Sequence, residues 1–324
     1  MYSFIVNPNA SGGRGERIWR RLEKQLKHLG VPYEAFVTEK TGDARRLACD
    51  LTEHQREPRI LIAVGGDGTV SEVLDGISFC GPVTLGYIPT GSGNDLARSL
   101  RLPKSPSRCL KKILNPKYHK LLDYGVLSYG DHLTHRRFMV STGIGMDAMV
   151  CQDILHSKTK RGLSKVGLGK LSYMLVGAKR ILFTRPVKGY LVLDGAQKVE
   201  FNHIYFVSVH NHGSEGGGFL FAPRAVCDDG ELELCVAHTA SKLRLFPVLF
   251  DAYRGHLGRR RGVHLISALF GMTKKKKNRI RCYTCQEVEI HMDQPMAVHA
   301  DGEDCLCQQD IHVRCIPQKL RMIV

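Results

Sequence analysis

A carboxylate set among glycines at the end of an apolar run is the first chemistry this chain offers. Gly65-Gly66-Asp67-Gly68-Thr69 follows Ile60-Leu61-Ile62-Ala63-Val64, a run of the kind that forms a buried parallel strand. The glycines let the backbone come close to a ligand. Val70, Val73, Leu74 and Ile77 then carry the spacing of one helix face. Strand, glycine turn and helix bring backbone N–H groups and a helix N-terminus to one point, which suits phosphate. Neither GxxxxGK[ST] nor GxGxxG occurs at this turn. An acid inside a phosphate cradle makes sense where a divalent cation or a proton lies between the two. Taken alone, the same glycines also suit a plain strand-to-helix turn.

Further acids stand in pairs. Asp301-Gly302-Glu303 supplies two carboxylates one residue apart, which on a strand would point the same way into one cleft; the other reading is a surface turn with exposed acids. Asp228-Asp229-Gly230 suits a hard, oxygen-liking cation or an ordinary hairpin turn. Cys282-x-x-Cys285 and Cys305-x-Cys307 have spacings seen in zinc sites. The first pair lies in an alternating stretch where i and i+3 face opposite ways, so the eleven scattered cysteines read as reduced structural thiols.

The elements that must hold these groups fall into two kinds. Phe4-Ile5-Val6, 33–38, 60–64 and 83–88 read as strands. Helices are expected at 16–29, from Gly42-Asp43-Ala44 to about His54, over 70–77 and over 96–100. That alternation implies a parallel sheet with helices on its faces. Three loops at carboxyl ends of strands, 7–15, 65–69 and 90–95, are rich in Gly, Ser, Thr, Asn and Asp and would surround one nucleotide. From about Tyr124 the pattern changes. Segments 137–142, 187–193, 201–209, 231–237, 280–285 and 287–292 read as strands, 166–183 and 243–257 as helices, and 311–324 as a returning strand pair. The expectation is an antiparallel β-sandwich. Thr142 to Ala148 reads as a loop facing the cleft, and the glycine-rich stretch 211–223 as a flexible segment that would admit a long acyl chain.

With 324 residues and 43% hydrophobic content, the chain has material for two cores. It has no run of eighteen apolar residues, and its first residues read as a strand rather than a leader, so a cytoplasmic protein is expected. The formal charge of +16 is uneven: stretch 156–188 holds nine Lys/Arg and no acid, and stretch 242–281 holds twelve and one acid. Such a surface suits a polyanion. Interleaved apolar residues (Leu163, Val166, Leu168, Leu171, Tyr173, Met174 and Leu175, then Leu245, Phe246, Leu249 and Phe250) favour an anionic membrane surface and peripheral association. A single Trp and the lack of any RNP, KH or zinc-finger pattern argue against nucleic acid. The basic faces oppose self-association, which leaves room for a homodimer that keeps them outside.

GGDGTVSEV, PTGSGNDLA, the NPNASGG loop, DDGELEL at 228–234 and HADGE at 299–303 occur in order along nearly the whole chain. Together they resemble the bacterial diacylglycerol kinase family, which is related to sphingosine kinases and distantly to NAD kinases. The resemblance implies an α/β plus all-β protein: a doubly wound α/β ATP-binding domain at 1–124, joined by a returning tail at about 308–324, and a lipid-substrate β-sandwich at 125–307. It implies ATP and Mg²⁺ as cofactors and a lipid substrate, diacylglycerol first, with a sphingoid base, undecaprenol or NAD as alternatives. By position, it implies nucleotide contacts at Asn7, Thr38, the run Gly65, Gly66, Asp67, Gly68, Thr69, Val70 and Ser71, and Ser92 with Gly93 and Asn94. Asp67 would help hold the Mg²⁺ of Mg-ATP, supported by Asp123 and Arg98, with Arg14 as the basic residue of the first loop. Asp229, with the carbonyls of Val226 and Glu231, would hold a second, structural Mg²⁺. The resemblance makes Asp301-Gly302-Glu303 the catalytic base, through Glu303 with Asp301 beside it.

Overall fold

In the computed structural model, residues 1–130, 133–156, 169–254 and 280–324 are described, with the side chains of 169–172 left aside. Strands β1 (Tyr2–Val6), β2 (Tyr33–Val37), β3 (Arg59–Gly65) and β4 (Val83–Pro89) are parallel, in the order β2-β1-β3-β4. Alternate side chains of β1 and β3 enter different cores. Ile5, Leu61 and Ala63 pack with α2 (Asp43–Thr52) and α3 (Asp67–Gly76), whereas Phe4, Val6, Ile62 and Val64 pack with α1 (Ala10–His28) and α5 (Pro106–Leu114). Burial on both faces is why these strands read as unbroken apolar runs. Helix α4 is short (Asp95–Ser99). Helix α5 has no counterpart among the expected elements, although Pro106 at its first turn and Cys109, Leu110 and Ile113 on its buried face carry a helix signal.

The rest is antiparallel around β5 (His119–Tyr129), β6 (Thr134–Phe138), β7 (Ser141–Gly145), β8 (Val187–Leu193), β9 (Gln197–His210), β10 (Leu232–His238), β11 (Ile280–Cys285) and β12 (Glu287–Ala300). Both β9 and β12 pair with β7 at one end and with β8 at the other, so the sheet folds over itself around Ile144, Leu191, Ile204, Val207, Ile290 and Val298. Helices α6 (Met146–His156), α7 (Gly169–Phe183) and α8 (Phe246–Arg254), with a 3₁₀ turn at Lys242–Leu245, cover one flank.

Three expectations need correction. The tail is one strand, β13 (Glu303–Ile323), rather than a pair. It runs antiparallel to β12 and β5 and ends parallel to β4 through Arg321 and Met322. Stretch 137–142 is broken between β6 and β7. Thr142 to Ala148 is no loop but the end of β7 and the start of α6, whose buried Met146, Ala148 and Ile154 lie on no single clean stripe. Much of both basic stretches, at 157–168 and 255–279, lies outside the described residues, including Leu163, Val166, Leu168 and Lys274 to Lys277. Among the described residues no helix is long and apolar enough to cross a membrane.

Candidate active site

The carboxyl ends of β1, β3 and β4 open onto one cavity of about 1190 Å³. Two of its loops touch backbone to backbone: a Cβ on Gly91 would lie 2.5 Å from the Gly66 Cα. Any side chain there would push the β3 and β4 loops apart. Asn7 donates from Nδ2 to the Thr69 hydroxyl at 3.0 Å, and Ser11 Oγ donates to the Thr90 carbonyl at 2.7 Å. The Thr90 hydroxyl itself is buried without a protein partner. Asn7, Arg14, Thr38, Gly66, Asp67, Gly68, Thr69, Ser92 and Gly93 all line the cavity. Four residues expected at the nucleotide do not. Gly65 lies against the Thr69 side chain, Val70 packs in the core behind α3, Ser71 bonds to Asp301, and the Asn94 amide closes its own loop onto the Gly91 carbonyl at 2.8 Å.

Asp67 meets a neighbour that the sequence reading passed over. A Cβ on Gly93 would lie 2.9 Å from Asp67 Oδ2 and 3.6 Å from Asp95 Oδ2, so both carboxylates converge on one spot. Burial, then the charge of Asp95, raises Asp67 to about 7. Arg98 pairs with Asp95 and the Gly93 carbonyl rather than with Asp67. Asp95 also accepts the Gly217 N–H at 2.7 Å, which ties the glycine-rich stretch to the acid pair. Asp123, expected beside Asp67, is fully buried elsewhere and accepts the N–H groups of Gly230 (2.7 Å) and Gln318 (2.6 Å). It braces the Asp228-Asp229-Gly230 turn, where Asp229 Oδ1 accepts the Glu231 N–H at 3.1 Å and Lys120 pairs with Asp228 at 2.9 Å. Val226 is about half exposed on the same loop.

The carboxylates of Asp301 and Glu303 do not point together, because Asp301 and Gly302 are the two-residue turn between β12 and β13, with φ of 49° and 83°. Asp301 accepts the N–H groups of Met139 (2.7 Å), Val140 (2.8 Å) and Ser141 (3.1 Å), and Ser71 also bonds to it. It therefore pins the break between β6 and β7 and has little left to accept a substrate proton. Glu303, the first residue of β13, turns to the cavity: Oε2 pairs with Arg136 at 2.5 Å, while Oε1 lies 3.5 Å from where a Gly68 Cβ would be. Burial raises the Glu303 carboxyl, and Arg136 opposes that rise.

Beyond Glu303 the walls become apolar, built by Met146, Val150 and Ile154 of α6, Ile181 of α7, Phe219, and Val248 of α8. One polar island interrupts them. His299 Nδ1 accepts the Gly302 N–H at 3.1 Å, so its proton is on Nε2 and goes to Asp147 Oδ2 at 3.0 Å. Glu215 accepts from Ser141 Oγ and bonds to Asp147. Burial and the Asp147 charge push Glu215 well above its ordinary range, so it keeps its proton and donates. Burial would raise Asp147 too, but the His299 contact holds it low. Asp147, Cys151 and His299 are close enough to share a metal ion. The tautomer disfavours it: a metal on Nε2 would move the His299 proton to Nδ1, against the Gly302 N–H. Elsewhere, Cys282 is exposed and Cys285 buried, on opposite faces of β11.

The apolar residues of the basic stretches divide. Leu245 is buried, and Tyr173, Met174, Phe246 and Leu249 pack with it. Leu175, Leu182, Phe183, Leu243 and Phe250 are exposed by 45% or more, on the flank shared with Lys242, Arg244 and Arg254.

Residues 1–125 match the family described as the diacylglycerol kinase catalytic domain, and residues 139–272 the YegS C-terminal NAD kinase beta sandwich-like domain. The chain is 32% identical to a protein of Chromohalobacter salexigens named "probable lipid kinase YegS-like", over 71% of this chain and 68% of that one. It is 25% identical to a diacylglycerol kinase of Mycobacterium tuberculosis over 98% of this chain and 93% of that one. A solved structure from Bacillus anthracis described as a diacylglycerol kinase shares the fold, with a TM-score of 0.68 at 20% identity, covering 99% of this chain and 96% of its own.

Proposed function

The chain belongs to the lipid kinases that carry a diacylglycerol kinase catalytic domain, and from that premise we propose that it phosphorylates the hydroxyl of diacylglycerol from Mg-ATP, giving phosphatidic acid. The observation that carries this reading is the two-ended cavity: glycine loops and a buried acid pair at one end, apolar helices at the other, and Glu303 at the junction. Such a space suits a molecule with a reactive hydroxyl on long apolar chains, and at about 1190 Å³ it exceeds the range of roughly 300–1000 Å³ usual for small ligands.

Bound Mg-ATP would supply the phosphoryl group and the cation that neutralises its charge. The residues present fit it. Gly66, Gly68 and Thr69 would face the phosphates, and Asp67 with Asp95 would hold the cation. Arg14 and Thr38 would line the nucleotide side. Glu303 Oε1 would accept the proton of the acceptor hydroxyl, while Asp301 keeps the hairpin in register. Asp229, with the Val226 and Glu231 carbonyls, would hold a second Mg²⁺ on the turn that Asp123 braces. The exposed apolar and basic residues around α7 and α8 would dock the cavity mouth on anionic lipid.

One observation favours a second acceptor. The Asp147 carboxylate in the apolar wall would pair with an amine, which a sphingoid base has and diacylglycerol lacks. Transfer of labelled γ-phosphate from Mg-ATP to diacylglycerol in anionic mixed micelles, sphingosine, undecaprenol and NAD tests both. Label on diacylglycerol supports the first reading and label on sphingosine the second. Label on NAD alone overturns both.

A further inference from the structure

Glu303 needs help to act as a base. It sits next to a turn on a flexible side chain, and the groups around it are mostly acidic: Glu72 from α3, Asp301 from the hairpin, and the Cys305 thiol from β13. Such a setting favours the protonated form, which cannot accept a proton. A guanidinium stands among them. Arg136 of β6 is largely buried, with 17% of its side chain exposed, and lies between two acids: Nη2 bonds to Glu303 Oε2 at 2.5 Å, while Nε is ion-paired with Asp75 Oδ2 at 3.2 Å without a hydrogen bond.

Asp75 is an anchored partner. Its carboxylate also takes Arg45 of α2 at 2.7 Å and the Arg137 N–H at 2.9 Å, and 6% of its side chain is exposed. The Arg137 guanidinium in turn donates to the carbonyls of Leu74 and Ile77 at the end of α3 and lies over the Phe79 ring at 5.1 Å. So α2, α3 and β6 hold one end of the Arg136 fork in place, and the other end reaches the acid in the cavity.

We infer that Arg136 is the positioning residue for Glu303: anchored by Asp75, it fixes Oε2 and leaves Oε1 facing Gly68 as the atom that meets the acceptor hydroxyl. The inference rests on the proposed role of Glu303. The guanidinium plane matters to it, because a lysine ammonium is a point charge that would not hold a fixed donor on Oε2 while lying beside Asp75.

Two measurements on the full chain separate the inference from the functional reading. The first is a ¹³C NMR titration of protein labelled at glutamate carboxyls, with Glu303 assigned through Glu303→Gln. It needs no acceptor lipid. Replacing Arg136→Gln should raise the Glu303 midpoint by about 1–3 pH units. Arg136→Lys should raise it less, and gives the same readout if the Gln variant does not fold. The second is the pH profile of lipid phosphorylation, whose acid limb should move with the NMR midpoint, kcat falling more than the KM for ATP rises. An unmoved Glu303 midpoint in the Arg136 variants would overturn the inference, whatever the activity. A moved midpoint in a protein that phosphorylates none of the lipids would keep the link between Arg136 and Glu303 and sink the assignment of the base.

Discussion

The two ends of the cavity are built by different means. At the glycine-loop end the groups are backbone and short side chains on loops fixed by a parallel sheet, and the tolerance is tight: Gly91 leaves no room for a Cβ, which would lie 2.5 Å from the Gly66 Cα. At the apolar end the wall is side chains on α6, α7 and α8, where one apolar residue can stand in for another. Two glutamates also line the cavity, Glu303 where the ends meet and Glu215 in the apolar wall. Glu303 faces a guanidinium, whereas Glu215 faces the carboxylate of Asp147. The same residue type is thus set beside a cation in one place and as a proton-holding hydrogen-bond donor in the other.

The largest expected effect falls where the ends meet. Glu303→Gln keeps the shape and removes the proposed base, so kcat should fall by about 10²–10⁴-fold. ATP affinity, measured by calorimetry, should change little, because the side chain is held by Arg136 rather than by the nucleotide loops. Asp301→Asn should behave differently, losing stability as well as activity, since three backbone N–H groups depend on that carboxylate. Equal, purely catalytic losses in the two variants would erase the distinction drawn between them.

That same contrast governs what could be read without coordinates. The glycine-loop end was legible because its chemistry forces residue types: glycines where backbones touch, an acid at Asp67, and a strand before each loop. The break in the reading there is Asp95, which stood inside the quoted PTGSGND motif but shows its role only through the approach of Asp67 across two loops. Asp301 and Glu303 were legible as a pair and a turn was one of two readings, undecided because strand alternation and a two-residue hairpin both tolerate Asp-Gly at that point. Arg136 carried no local signal at all. Its meaning comes from Asp75 and Glu303, far away in sequence on either side. The apolar end was hardest, because α6 buries several sides and so lacks the stripe by which a helix is recognised.

A middle-sized effect sharpens the apolar side. Gly177 lies inside α7, where glycine costs about 0.5–1 kcal/mol relative to alanine. It lines the cavity, and a Cβ there would sit 3.4 Å from Leu249. Gly177→Leu should fill this part of the wall while leaving the nucleotide loops alone. We expect the KM for long-chain acceptors to rise by about tenfold or more, as for a misfit on the scale of a methylene group, with short-chain acceptors affected less. Equal loss across chain lengths in a micelle assay would mean that the acyl chains do not reach α7.

The smallest effect tests the contrast between the glutamates directly. Glu215 has an ordinary value of 4.5 and is raised well above it by burial and by Asp147. The folded protein therefore keeps a proton that the unfolded chain releases. That group's contribution to stability is fully present below about pH 4.5 and is lost as the pH climbs toward the folded value, by at most about 1.4 kcal/mol per pH unit. Glutamine has no proton to lose, and its amide can still accept from Ser141 and donate to Asp147. Glu215→Gln should therefore match the wild-type melting temperature near pH 4 and exceed it by a few degrees at pH 8, at roughly 2–4 °C for each kcal/mol. Glu303→Gln should show a smaller gain over the same range, because Arg136 already stabilises the ionised Glu303. Thermal melts from pH 4 to 8 on the two variants read both slopes. If the gain at position 215 does not grow with pH, Glu215 is not the proton holder, and the asymmetry between the two ends of the cavity disappears with it.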